Sequence, residues 1–313
     1  RPEKWTYPST VAAQAFGGVM LRLLTFCSLM GLFLGPPVYA AEPIPVVASF
    51  SIVGDIVSHI GGNRVSVDTL VGPEEDAHVF DPAPRDAARI AAAKLVVING
   101  LGFEGWMDRL IKASGGAPQL TIASMGISSH HALIDGNERI DPHAWQDVSN
   151  VRIYARNIAD ALIAIDPEGG GIYRANLSSF DDELASLDHE IRAAISAIPT
   201  ERRKIVTTHD AFGYFALAYG IEMIAPQGIS TEAEASAKDV ARIIRQVKSE
   251  KIPAIFLENV SDPRLAERIA AESGARIGGK LYSDALSKEN APAGTYIAMM
   301  KANIRELTKA LMP

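Results

Sequence analysis

Short β-branched runs alternate with stretches of helical periodicity in two separate series, and this alternation constrains the chain more than any other feature. The first series contains I-P-V-V-A-S-F (44–50), V-S-V-D-T-L-V (65–71), K-L-V-V-I-N (94–99) and Q-L-T-I-A (119–123), with helical segments near 52–61, 84–93 and 103–113. The second contains K-I-V-T-T (204–208), I-E-M-I-A (221–225), A-I-F-L-E (254–258) and A-R-I-G (275–278), with helices near 211–219, 235–250, 262–273 and 294–311. A strand that is apolar at nearly every position must be buried on both faces, and intervening helices provide that cover. The pattern therefore predicts two parallel sheets, each flanked by helices.

The interval between the two series carries no strand signal. Val148 to Ile165 is helical in pattern, D-P-E-G-G-G (166–171) breaks it, and Ile172 to Ile198 is amphipathic. Its apolar residues Leu177, Phe180, Leu184, Leu187, Ile191, Ala194 and Ile198 recur every three or four positions, and Pro199 ends the run. A helix of this length reaches about 40 Å at 1.5 Å per residue, enough to act as a strut. The expected fold is α/β, with two lobes, each a parallel β-sheet flanked by helices, joined by a long rigid α-helix. The expected divisions are 1–40 upstream residues and signal peptide, 41–147 N-terminal lobe, 148–199 helical segment with the linking helix, and 200–313 C-terminal lobe. No internal sequence repeat is visible.

Met20 to Ala40 has an early positive charge at Arg22, an apolar run from Leu23 to Leu34, and a V-Y-A ending at Ala40. This is the layout of a cleavable secretory signal, and the run is shorter than the roughly 20 residues of a membrane span; an uncleaved N-terminal anchor is the competing reading. Residues 1–19 precede the first methionine, carry no pattern, and are set aside. The single cysteine, Cys27, lies inside the apolar run and lacks a lipoprotein-type context. The chain after residue 40 therefore has no thiol, so a metal site there must be built from His, Asp and Glu. That part carries 27 Lys+Arg against 36 Asp+Glu, an acidic balance that argues against nucleic acid as a partner. The localisation expected from these features is the periplasm.

Seven histidines are present, and three stand just beyond strands or at a lobe edge, where α/β sheets gather ligands. These are His78 in D-A-H-V-F-D-P, His143 in D-P-H-A-W and His209 in T-T-H-D-A-F-G-Y-F. Taken singly, each could equally cap a helix or fill a gap in packing. His59 and His189 lie within helical patterns and read as surface or packing positions, and Trp145 reads as a packing aromatic. His130 and His131 fall in S-S-H-H-A-L-I-D-G-N-E-R (128–139), read as a loop that is either solvated or a weak auxiliary metal site.

Four stretches, three of them around His78, His143 and His209, give the chain a family likeness. G-P-E-E-D-A-H-V-F-D-P-A-P (72–84), D-P-H-A-W-Q-D-V-S-N (141–150), H-D-A-F-G-Y-F-A-L-A-Y-G (209–220) and F-L-E-N-V-S-D (256–262), with the ending Y-I-A-M-M-K-A-N-I-R-E-L (296–307), resemble the zinc/manganese solute-binding proteins of ABC importers, the ZnuA/TroA-like group. The resemblance covers residues 44–311 and implies two α/β lobes with one metal ion between them. It carries the family's first two metal histidines onto His78 and His143, and the third ligand position onto His209. The family's fourth ligand, an aspartate in a Leu-Asp-Pro-Leu-like segment, falls on Asp284 in K-L-Y-S-D-A-L-S (280–287). That segment departs from the pattern at Ser283 and Ala285, which leaves Glu258 or Glu232 as the fallback.

Three neutral imidazoles and one carboxylate suit four-coordinate Zn²⁺, whereas the manganese-favouring relatives implied by the resemblance tend to carry Glu where His209 stands. The expected ligand is Zn²⁺, with Mn²⁺ as the alternative, and affinity is expected to fall below about pH 6.5 as imidazoles protonate. The resemblance implies a monomeric receptor without enzymatic turnover that hands metal to an ABC transporter permease, with a periplasmic metallochaperone as a possible further partner. A metal-binding adhesin and a zinc hydrolase are the competing readings. The hydrolase is disfavoured because four protein ligands close the coordination sphere and no H-E-x-x-H segment is present.

Overall fold

The computed structural model describes residues 42–134 and 137–313, together with Arg1, Glu3 and Lys4. The signal-peptide reading, and Cys27 within it, falls outside the described residues.

The first lobe follows the expected alternation: β1 (Ile44–Phe50), α1 (Ser51–Gly61), β2 (Val65–Val71), α2 (Pro84–Ala92), β3 (Leu95–Ile98), α3 (Met107–Ser114) and β4 (Gln119–Ile122). Its strands lie in the order β2-β1-β3-β4, all parallel, with Val46 opposite both Val67 and Leu95. A short antiparallel hairpin follows, β5 (His131–Ile134) and β6 (Asn137–Ile140), where the sequence reads as a loop. Two helices then run across the molecule, α4 (Val148–Ile165) and α5 (Gly170–Ala197).

The second lobe comprises β7 (Lys204–Val206), α6 (Gly213–Tyr219), β8 (Glu222–Ile224), α7 (Ala237–Glu250), β9 (Ala254–Glu258), α8 (Pro263–Ser273), β10 (Arg276–Leu281) and α9 (Tyr296–Leu311). Its strand order, β10-β9-β7-β8, is also parallel. Both sheets share one topology. The first strand lies centrally, the second pairs on one side of it, and the third and fourth lie on the other. Connections therefore diverge at the carboxyl ends of β1/β3 and of β7/β9, the crevices where open parallel sheets bind ligands.

The linking helix α5 is 28 residues long, about 42 Å at helical rise, and packs on α1 and α4 of the first half and on α9 of the second. Its buried stripe, Tyr173, Phe180, Leu184, Leu187, Ile191 and Ile195, has the spacing read from the sequence. It starts at Gly170, inside the glycine run that the sequence marks as a break, because the break is a single tight turn over Pro167–Gly169. A Cβ on Gly169 would lie 2.2 Å from Asp166 Oδ2 and 2.5 Å from Arg64 Nε, so only glycine lets that turn close. There the Arg64 guanidinium donates to both Asp166 oxygens, at 2.7 and 2.8 Å, and Tyr173 donates a third bond at 2.6 Å.

Neighbouring residues of a strand face opposite sides, so each buried strand feeds two cores. Ile205, Ala254 and Phe256 join one continuous core with the first lobe and the linking helices. Val206 and Ile255 face outward into a second cluster with Val240, Ile243 and Val247 of α7 and Ile269 of α8.

Candidate metal centre

Four side chains meet between the two switch points. His78 arrives on the loop from β2 to α2, and its backbone N–H donates to Asp76 Oδ1 at 2.9 Å, which tightens the turn. His143 leads into a short turn over Ala144–Gln146, and Asp141 Oδ1 accepts both its backbone N–H, at 2.9 Å, and its ring Nδ1, at 2.7 Å. His209 follows β7 after two threonines. Asp284 follows β10 in a fully buried segment.

That last segment is held from several directions. The backbone carbonyl of Ser283 accepts from Trp145 Nε1 at 2.8 Å and Gln146 Nε2 at 2.7 Å. Asn259 Nδ2 donates to the Ala285 carbonyl at 3.0 Å, and Asn303 Oδ1 accepts from Tyr282 N at 2.8 Å. Trp145 itself packs on Phe50, Phe103 and the ring of His143, so one aromatic joins the first-lobe core to the Asp284 loop.

One ligand atom from each of His78, His143, His209 and Asp284 lies within 4.8 Å of every other. The two Nε2 atoms of His78 and His143 are 3.3 Å apart. Asp284 stands 3.5 Å from each of them and 3.0 Å from His209 Nε2. The last approach is within ion-pair distance but lacks hydrogen-bond alignment, so His209 Nε2 and both Asp284 oxygens are buried without a hydrogen-bond partner. Leaving a carboxylate and an imidazole nitrogen unpaired in an apolar interior costs several kcal/mol, roughly, unless a cation or proton compensates. The donor set fits a divalent ion: three ring nitrogens and one carboxylate, converging on a common point.

The electrostatics agree with the geometry. Burial opposes charge on His209, but the carboxylates of Glu258 and Asp284 outweigh it and hold the imidazole well above its ordinary range. Burial likewise opposes charge on Asp284, yet His209 and His143 prevail and hold its carboxyl well below the usual range.

The structure puts the two fallback carboxylates elsewhere. Glu258, at the end of β9, turns away from the cluster: its Oε2 faces His209 Nδ1, and its Oε1 accepts the backbone N–H groups of Thr208 at 2.6 Å and His209 at 3.0 Å. Glu232 is exposed on the loop after β8. His131 is an exposed hairpin residue 3.9 Å from Glu138, and the His130 ring packs beside Tyr214. His59 pairs with Asp55 on α1, and His189 is exposed on α5. The supporting carboxylates Asp141 and Glu258 are not distinguished as supports by sequence. Asp141 lies two residues from His143, a spacing that could have marked it.

The pattern of a known family, described as zinc-uptake complex component A, periplasmic, matches residues 46–310. The manganese-binding lipoprotein MntA of Halalkalibacterium halodurans is 33% identical over 270 residues, 86% of this chain and 89% of that protein. The iron-binding protein YfeA of Yersinia pestis is 30% identical over 93% of this chain and 94% of that one. The solved structure of the periplasmic zinc-binding protein TroA from Treponema pallidum matches with a TM-score of 0.82 at 30% identity, covering 87% of this chain and all of that one.

Proposed function

The chain belongs to the ZnuA family of metal-uptake components, solute-binding proteins of ABC importers, and from that premise we propose that it is a periplasmic receptor that captures Zn²⁺ through His78, His143, His209 and Asp284 and delivers it to the membrane permease. The observation that carries this reading is the convergence of three ring nitrogens and two unpartnered carboxylate oxygens on one buried point. A site with three nitrogen donors and one carboxylate favours zinc, because Mn²⁺ prefers a harder, oxygen-richer set. Four protein donors leave no position for an attacking water, which favours a receptor over a hydrolase.

Two of the ligands follow first-lobe strands or lead into the linking helices, and two follow second-lobe strands. Bound metal then ties the halves together, and its differential affinity for the closed arrangement drives capture. A manganese receptor is the second reading, supported by the 33% identity to a manganese-binding relative.

Elemental analysis of the purified protein before and after chelation tests both readings. One equivalent of tightly held zinc, not displaced by equimolar Mn²⁺, is the expected result. Asp284→Ala is expected to weaken zinc binding roughly a hundredfold or more, and His209→Glu to move the preference toward Mn²⁺. Stoichiometric zinc held at unchanged affinity by Asp284→Ala would move the fourth ligand elsewhere.

A further inference from the structure

The three histidines are not equally supported. Asp141 backs the ring of His143 and Glu258 backs that of His209, but among the described residues no carboxylate lies behind His78 Nδ1. His78 is also the one ligand with any exposure, 8% against 0% for the other three, so it stands on the solvent side of the site. Its orientation rests on the edge of Phe103, 4.7 Å away, and on the bond from its backbone N–H to Asp76.

The second oxygen of Asp76 accepts a hydrogen bond from Thr231 Oγ1 at 2.6 Å, across 155 residues of chain. Thr231 belongs to the second-lobe loop 225–236, in which only Pro226 is buried. Open clefts of about 730 and 510 Å³ flank this loop, the first lined by Arg139 and Asp210 and the second by Asp76 and Thr208. Segments with so few buried contacts open at low free-energy cost. The loop is stitched internally by Gln227 Nε2, which donates to the carbonyls of Thr231 at 3.3 Å and Ala233 at 2.8 Å. It is also joined to the turn after β7, where Asp210 N donates to the Gly228 carbonyl at 3.1 Å. With Gln227 N donating to the Thr208 carbonyl at 3.3 Å as well, the start of the loop is pinned beside His209, and the part around Thr231 is the part that can lift.

We infer that Asp76 is a positioning residue for His78 and that the Thr231 hydroxyl latches the 225–236 loop onto it, so that metal exchange requires this bond to break. The inference rests on the receptor reading above. When the loop is seated, Thr231 fixes the Asp76 carboxylate, and Asp76 in turn fixes the His78 main chain. When the loop lifts, the least supported ligand loses its anchor at the one exposed side of the site. A single hydroxyl-to-carboxylate bond biases such an equilibrium by about tenfold.

The test is zinc release from loaded protein into excess chromophoric chelator, in wild type, Thr231→Val and Thr231→Ser, with zinc stoichiometry measured at saturation. The valine variant keeps the shape and loses the hydroxyl. It is expected to bind one equivalent and to release it about tenfold faster, while the serine variant releases at close to the wild-type rate. A merely structural role would lower the thermal stability of Thr231→Val while leaving its zinc release at the wild-type rate. Stoichiometric zinc with wild-type release from Thr231→Val would overturn the latch alone. Wild-type protein that takes up neither Zn²⁺ nor Mn²⁺ would overturn the receptor reading and the latch with it.

Discussion

Each sheet closes its switch point with one buried glutamate, and the two lobes put that glutamate to different uses. In the first lobe Glu104 ties the end of β1 to the end of β3: it accepts from Ser49 Oγ at 2.7 Å, Asn99 N at 2.6 Å and Gly100 N at 3.1 Å. In the second, Glu258 at the end of β9 accepts two backbone N–H groups after β7, and its other oxygen faces His209. Glu104 touches no imidazole, and burial pushes its carboxyl above the usual range. The same device that satisfies stranded backbone donors thus remains structural in one lobe and supports a proposed metal ligand, His209, in the other. The first lobe supports its own ring differently, through Asp141, which acts on His143 over two residues of chain.

The sharpest way to break this comparison is to neutralise each glutamate without changing its size. Glu258→Gln removes the anion behind His209 and is expected to weaken zinc binding roughly ten- to a hundredfold, the range for groups that orient a metal-bound imidazole. Glu104→Gln is expected to leave zinc affinity within about threefold and instead to lower folding stability by about 1–3 kcal/mol through impaired strand-end hydrogen bonds. Chelator competition and denaturant unfolding measure the two quantities. Equal losses of affinity in both variants would mean the lobes are not divided in this way.

The pH dependence sharpens the comparison on the second-lobe side. Metal-free His209 holds its imidazole proton well above the ordinary range because Glu258 and Asp284 outweigh burial. That proton must leave before Nε2 can accept a metal, so deprotonation favours binding. Affinity is therefore expected to keep rising above pH 6.5, by up to about tenfold per pH unit while one proton is displaced. Glu258→Gln removes the first of the two attractive charges and should move this rise to lower pH, whereas Glu104→Gln should leave it in place. Competition titrations between pH 6 and pH 8.5 read the slope directly, and a flat profile for the wild type would contradict the role given to His209.

Much of the fold was legible because burial on both faces leaves a plain mark. The runs at 44–50, 65–71 and 254–258 coincide with β1, β2 and β9, and most helix boundaries fall within about two residues of the pattern. The 131–140 hairpin was not legible: each strand has four residues, and neither shows sustained alternation. The site divides in the same manner. His209 announces itself by following a strand, and Asp284 comes from the family resemblance alone. Glu104 and the supporting role of Glu258 depend on contacts spanning about 50 residues, which no local pattern records. Glu258 in particular reads from sequence as a possible ligand, since a carboxylate ending an apolar strand looks the same whether it faces the metal or the ring behind it.

A smaller effect probes the support that the first lobe receives from the second. Gly213, the first residue of α6, packs against the outer side of Asp141: a Cβ there would lie 2.6 Å from Asp141 Oδ2 and 2.8 Å from His130 Cδ2. The His130 ring is half-exposed and can turn aside, but the Asp141 side chain is buried and pinned by His143, so it cannot move without disturbing that ring. Gly213→Ala therefore transmits a displacement of a few tenths of an ångström to His143 while leaving every ligand in place. The expected loss is about threefold in zinc affinity, below that of Glu258→Gln because the carboxylate is shifted but retained. Adding His130→Ala should recover most of this loss if the crowding is shared between the two neighbours. Chelator competition on the single and double variants measures it, and a Gly213→Ala protein with wild-type affinity would show that Asp141 has room to yield, leaving Glu258 as the more exacting of the two supports.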